Sequence, residues 1–223
     1  MAELVSDPYF KNKIRVFKDR FHAGELLAKK LEDYKDKMDV YVLAIPAGGV
    51  QVASVVSETL KLPLDLAITR KIHVPWNKEA GFGAVSWDGL IFLNEPLLNS
   101  LNLTREEVDR CIAEEKAVIR RRMTLFRGNR PFPKLREKTV IIVDDGLASG
   151  FSMLTTVKAL QRQKSKEIVV AVPTAPLSAI ELLRPHADKI VCLNIRTGSF
   201  FAVADAYQAW YDLEDQDVLD LLN

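Results

Sequence analysis

Residues 140–152, VIIVDDGLASGFS, put two adjacent carboxylates, Asp144 and Asp145, between an apolar run and a turn rich in glycine and serine. The run suits a buried strand and residues 151–163 suit a helix, so the acids stand at a strand end beside a helix N-terminus. Gly146 and Gly150 permit backbone angles closed to other residues, which lets successive N–H groups converge on an anion there. Ser149 and Ser152 add hydroxyl donors, and a phosphate fits such a nest. The two aspartates cannot face a phosphate directly, but they can accept hydrogen bonds from sugar hydroxyls or orient metal-bound water. Phosphate and diol together specify a phosphorylated sugar. An isolated Asp-Asp-Gly has a plainer use, capping a helix and forming a turn. A Walker-type loop needs Gly-Lys-Ser/Thr and a dinucleotide fingerprint needs Gly-x-Gly-x-x-Gly opening an early helix; the sequence contains neither.

The surrounding pattern predicts the elements that hold this segment. Short apolar runs at 40–45, 64–69, 139–143, 167–172 and 189–193 read as five buried core strands. Helices are expected at 19–34, with Asp19 as N-cap, and at 50–60, 104–126, 151–163 and 177–183. The long helix at 104–126 opens on Thr104 and Glu107, a capping box, and carries Arg120, Arg121 and Arg122 on a solvated face near its end. Strands alternating with helices specify an α/β fold with a mainly parallel sheet, whose ligands bind at the carboxyl ends of the strands. Residues 70–88 read as a long functional loop, followed by a hairpin turn at Asp88-Gly89 with arms at 84–87 and 90–93.

The 223 residues, 48% hydrophobic, suffice for one substantial core, so residues 1–223 read as a single domain. Lys plus Arg total 31 against 30 for Asp plus Glu, which leaves no long-range field to favour nucleic acid or a membrane surface. Cys111 and Cys192 lack metal-ligand spacing and read as free thiols of a reducing compartment. With no apolar leader-like stretch at the N-terminus and no run of apolar residues long enough to span a bilayer, a cytoplasmic protein is expected. His22, His73 and His186 show no spacing suited to a metal or a triad.

The segment VIIVDDGLASGFSM resembles the phosphoribosyl-diphosphate signature of type I phosphoribosyltransferases: four apolar residues, two acids, then a small Thr/Ser-Gly turn. DRFHAGELLAKKL, IPAGGVQVA, RKIHVPWNKEAGFGAV and SFFAVADAYQAWY extend the resemblance over nearly the whole chain, toward a bacterial and archaeal branch of undefined substrate. The resemblance implies that Asp144 and Asp145 bind the ribose hydroxyls of phosphoribosyl diphosphate. It implies that Gly146, Leu147, Ala148, Ser149, Gly150, Phe151 and Ser152 form the loop around the 5-phosphate. Pro46 to Gly49 is then the pyrophosphate loop, with Ala47, Gly48 and Gly49 near the diphosphate and a non-proline cis peptide common there. Ala47 departs from the Arg or Lys of the nearest relatives, so Arg70, Lys71 and Lys78 become candidates to supply the missing charge. For Lys78 a solvated surface position is an equal reading. Magnesium is expected through the ligand diphosphate and water, with no direct protein ligand.

Lys71 and Glu79 are the candidate catalytic residues. Ala148 stands where some purine-specific members keep an acid, which makes Glu79 a candidate general acid/base against a simple surface reading. Gly81 and Gly83 would let the 70–87 segment close as a lid. The tail, about 194–215, corresponds to the family's hood, with Phe200 or Phe201 stacking on the acceptor and Tyr207 and Trp210 open to stacking or core packing. The implied activity is transfer of the phosphoribosyl group to a small nitrogenous acceptor such as a nucleobase, in nucleotide salvage, by a homodimer without nucleic-acid or membrane partners. A non-catalytic phosphoribosyl-diphosphate sensor is the alternative, and Ala47 is the residue that favours it.

Overall fold

The structure is a computed structural model that describes residues 1–198 and 200–222, without the side chains of Lys78 and Glu79. In chain order its elements are β1 (Glu3–Ser6), α1 (Arg20–Lys30), β2 (Val40–Ala44), α2 (Gly49–Leu60), β3 (Leu64–Leu66), β4 (Arg70–Val74), β5 (Asn77–Val85), β6 (Ile91–Leu93), α3 (Glu95–Ser100), α4 (Arg105–Arg127), β7 (Thr139–Val143), α5 (Phe151–Arg162), β8 (Glu167–Pro176), α6 (Leu177–Leu183), β9 (Lys189–Arg196) and α7 (Asp215–Leu222). Six parallel strands form the central sheet in the order β1-β9-β8-β7-β2-β3. Every residue of β7 is buried, as its unbroken apolar run requires of a strand covered on both faces. One face of the sheet packs on a core that includes Leu27 of α1, Val52 and Val56 of α2 and Val218 of α7; the other packs on Leu154 and Leu160 of α5 and Ile180 of α6. Among the described residues, no helix is long and apolar enough to cross a membrane.

The sheet has six strands, not the five expected. The sixth, β1, is four residues long with exposed ends, and it owes its extended form to parallel pairing with β9 rather than to an apolar run of its own. The segment 70–88 is likewise corrected from a loop. Its residues form β4 and β5, which with β6 make a three-stranded antiparallel sheet. Glycines and charges obscured the strands, but Ile72, Val74, Phe82, Ala84 and Val85 are buried, with α4 and α5 both packing on this sheet. The expected lid is thus a small antiparallel sheet with an exposed tip at residues 75–77. The turn at Asp88-Gly89 is present, with Gly89 at φ +82° and the Ser86 hydroxyl donating to Asp88 at 2.5 Å. Arg121 and Arg122, read as solvated, reach Asp215 of α7 at 3.0 and 2.8 Å, so the end of α4 fastens the C-terminal helix.

The contact between α1 and α2 matters most for the site, because each helix begins there. Gly24 brings them together: a Cβ at this position would lie 2.8 Å from Val55 Cβ and 2.9 Å from the Val52 carbonyl oxygen. Gly24→Ala gains about 1 kcal/mol of helix propensity but must force the helices apart. The net expectation is destabilisation by roughly 1–3 kcal/mol, read from urea denaturation midpoints; an unchanged or raised midpoint would refute the packing argument.

Candidate functional site

Two loops emerge side by side at the carboxyl edge of the sheet, after β7 and after its neighbour β2. The β7 loop, residues 144–150, ends on Gly150 at φ +82°, the N-cap of α5, a conformation that favours glycine. A cavity of about 160 Å³ lies against it, lined by Lys71, Asp144, Gly146, Leu147, Ala148, Ser149, Gly150, Ser152, Met153 and Val203. Most of the expected phosphate loop therefore faces one space, at a helix N-terminus suited to an anion. Phe151 does not line it, and Leu147 does so with its N–H already engaged. The Leu147 N–H donates to the Thr174 carbonyl at 3.0 Å, and the Phe151 ring packs against Phe92 with centroids 6.1 Å apart.

The paired carboxylates are not equivalent. Asp144 lines the cavity and accepts the Asp145 N–H at 2.9 Å. Asp145 points instead to Arg20, whose Nε donates to Oδ2 at 2.8 Å. Burial, and secondarily the neighbouring Asp145 charge, holds the Asp144 carboxyl well above the ordinary carboxylate range. Burial also lifts Asp145, against the pull of Arg20.

The β2 loop is pressed onto these acids. A Cβ on Gly48 would lie 1.9 Å from Asp145 Oδ2, and one on Gly49 would lie 2.8 Å from the Val143 carbonyl and 2.9 Å from Asp144 Cα. Glycine is needed here for close approach, since Gly48 has φ −55°. The Pro46–Ala47 peptide is cis, and the Gly49 N–H is engaged by the Ile45 carbonyl at 3.1 Å.

The candidate cations separate. Lys71 faces the cavity, and Gly81 makes room for its stem: a Cβ there would meet Lys71 Cγ at 2.3 Å. Gly81 thus provides clearance within β5. Arg70 is turned to α4, where its Nε donates to Glu115 at 3.0 Å, and it does not line the cavity. The expectations for Lys78 and Glu79 concern side chains outside the described residues. Neither Phe200, 92% exposed, nor the partly buried Phe201 lines the cavity, whereas Val203, from the same tail, does. Tyr207 is buried between Phe17 and Trp210, which settles its reading as packing.

Sequence reasoning missed Arg20. Its Nη1 donates to the Tyr211 carbonyl at 2.8 Å, and its guanidinium lies 3.9 Å from the centre of the Trp210 ring. The Tyr207 hydroxyl donates to the Asp145 carbonyl at 2.5 Å, and Gln51 of α2 donates to the Tyr211 hydroxyl at 2.7 Å. No distinguishing signal marks it in the sequence: Arg20 opens α1 as Arg105 opens α4, yet Arg105 is exposed, and only the tertiary fold brings Arg20 to Asp145. The tail also rests on an N-terminal segment that had no assigned role, through Asn12 to Thr197 and Arg15 to Asp205.

The phosphoribosyl transferase domain family matches residues 18–208. Two Mycobacterium tuberculosis proteins, from strains CDC 1551/Oshkosh and ATCC 25618/H37Rv, both named provisionally as phosphoribosyl transferases, are each 32% identical over 210 residues. Those residues cover 94% of this chain and 47% of the relative, so the chain spans about half the length of these curated relatives. The crystal structure of TT1426 from Thermus thermophilus is 34% identical, with a TM-score of 0.75, covering 94% of this chain and 98% of that one. A hypoxanthine phosphoribosyltransferase from Staphylococcus aureus shares the fold at 14% identity and a TM-score of 0.50, covering 91% and 88% of the two chains.

Two outcomes follow from the charge arrangement. Arg20→Ala leaves Asp145 buried without its cation and should cost roughly 3–5 kcal/mol of stability; equilibrium unfolding that shows no loss would contradict the pairing. Asp144 binds its proton more tightly folded than unfolded, so its ionisation costs stability as pH rises from the ordinary aspartate range toward the raised folded value. Asp144→Asn should accordingly raise the melting temperature of the ligand-free protein at neutral pH and flatten the decline, a point that melting curves between pH 4 and about pH 8 decide.

Proposed function

The chain belongs to the phosphoribosyl transferase domain family, and on that premise we propose that it binds 5-phosphoribosyl-1-diphosphate across the carboxyl edge of the sheet and transfers the phosphoribosyl group to a nitrogenous acceptor. The observation that carries this reading is the shared cavity of Asp144, Lys71 and the α5 N-terminal turn, which assembles a diol acceptor, a cation and an anion nest. In the proposed binding mode the turn from Ala148 to Ser152 holds the 5-phosphate with N–H groups and the Ser149 and Ser152 hydroxyls. Asp144 and Asp145 take the ribose hydroxyls, with Arg20 fixing the orientation of Asp145.

In the proposed reaction the bond from ribose C1 to the diphosphate oxygen breaks, an acceptor nitrogen bonds to C1, and the diphosphate departs with the bonding pair. Lys71 offsets charge growing on the leaving group, Glu79 takes the acceptor's N–H proton, and the exposed ring of Phe200 offers a face to a planar nucleobase. Among the described residues no three His, Cys, Asp or Glu side chains gather in a metal-binding group. Two acids, one of them already paired with Arg20, suit a hydrated magnesium carried chiefly by the ligand diphosphate, which it would neutralise.

One observation favours a second reading, a binding protein without turnover. Ala47 brings no charge to the β2 loop, and Arg70, a candidate to supply that charge, is paired with Glu115. Incubation with magnesium, phosphoribosyl diphosphate and a panel of nucleobases separates the two. The transferase is expected to release pyrophosphate and form a nucleotide only with its acceptor, whereas ligand binding without base-dependent turnover leaves the sensor. Asp144→Asn with Asp145→Asn should weaken binding by about 10-fold or more, measured by calorimetry, and unchanged affinity would remove the ribose assignment.

A further inference from the structure

On β4, Lys71 sits between two residues that grip one buried carboxylate. Glu115 of α4 is 9% exposed; its Oε2 accepts from Arg70 Nε at 3.0 Å, and its Oε1 lies 2.7 Å from His73 Nδ1. Residues three apart on a regular strand point to opposite faces, so Arg70 and His73 should not meet the same group. They do so because the pairing of β4 with β5 shifts register on both sides of His73, and such irregularities re-aim side chains. The beginning of the strand is fastened on its other flank, where Thr69 shares a 2.9 Å hydrogen bond with Thr156 of α5. Lys71 leaves this doubly held segment toward the cavity, its stem lodged against Gly81.

A carboxylate buried at this depth is expensive unless it is paired. Here both partners belong to the strand that carries the cavity's lysine. We propose that Glu115 is a positioning residue: through Arg70 and His73 it fixes the course of β4 and so places the Lys71 ammonium at the diphosphate end of the ligand. The proposal rests on the binding mode above and gives Arg70 a function other than direct contact. Arg70 acts on the leaving group only through the lysine beside it.

The test pairs a ligand-free readout with a binding cycle on the full chain. Lysines are reductively methylated with ¹³C-formaldehyde, and Lys71→Met identifies the Lys71 signal in the NMR spectrum. Glu115→Gln should shift that signal while signals of lysines remote from β4 stay in place. In calorimetric titration with magnesium and phosphoribosyl diphosphate, Glu115→Gln should weaken binding about 10-fold when Lys71 is present. In the Lys71→Met background the same change should matter by no more than about 2-fold. Equal losses in both backgrounds, or an unmoved Lys71 signal in a folded variant, would overturn the proposal and leave Glu115 a structural residue. If Glu115→Gln does not fold, Glu115→Asp keeps the charge, shortens its reach and carries the same two comparisons. Absence of binding by the unsubstituted chain would count against the proposed ligand, while the ligand-free lysine signal would still decide the role of Glu115.

Discussion

Two carboxylates side by side at the end of a buried strand repel each other and resist dehydration, and the architecture around β7 is organised by how that is managed. Arg20 neutralises one of them. It reaches Asp145 because α1 begins at the sheet edge, and it is kept there by the Trp210 ring and the Tyr211 carbonyl. Tyr211 is in turn held by Gln51 of α2, and the Trp210 ring packs on Tyr207, whose hydroxyl donates to the Asp145 carbonyl. Asp144 has no direct ion pair among the described residues; the Asp145 N–H and the more distant Arg20 offset only part of the cost of its burial on the cavity side. The two acids therefore differ in surroundings: Asp145 is held by Arg20, while Asp144 accepts the Asp145 N–H and faces the cavity.

The β7–loop–α5 unit was legible in the sequence because every contribution to it is local. An apolar run, two acids, glycines and a helical period sit within two dozen residues, and the structure has strand, turn and helix where they were expected. Thr104 and Glu107 capped α4 as read, and α6 begins and ends at the expected residues after Pro176. What could not be read depends on distance. The Arg20–Asp145 pair joins residues 125 apart in sequence. β1 is a strand because β9 lies beside it, and the partner of Arg70, Glu115, lies 45 residues on.

The small sheet is where local and tertiary signals conflicted most. Charges and glycines made residues 70–88 resemble a loop, and those same residues are what the sheet uses: charges to reach α4 and the cavity, glycines to let strands and a lysine stem pass closely. The glycines of the β2 loop follow the same logic. Gly48 and Gly49 have little space because the neighbouring loop's acids fill it. The two loops are therefore one interlocked surface, and a change in either is felt by the other.

The tail adds a constraint on assembly. The sheet's strands lie between residues 3 and 196, yet the groups that steady Arg20 and Asp145 come from residues 207–211. A chain growing from its N-terminus thus completes its sheet while the acid pair still lacks its aromatic and carbonyl support. The same residues also close the core, since Ala206, Tyr207 and Val218 pack with the sheet, so loss of the tail would strip support from scaffold and acid pair together.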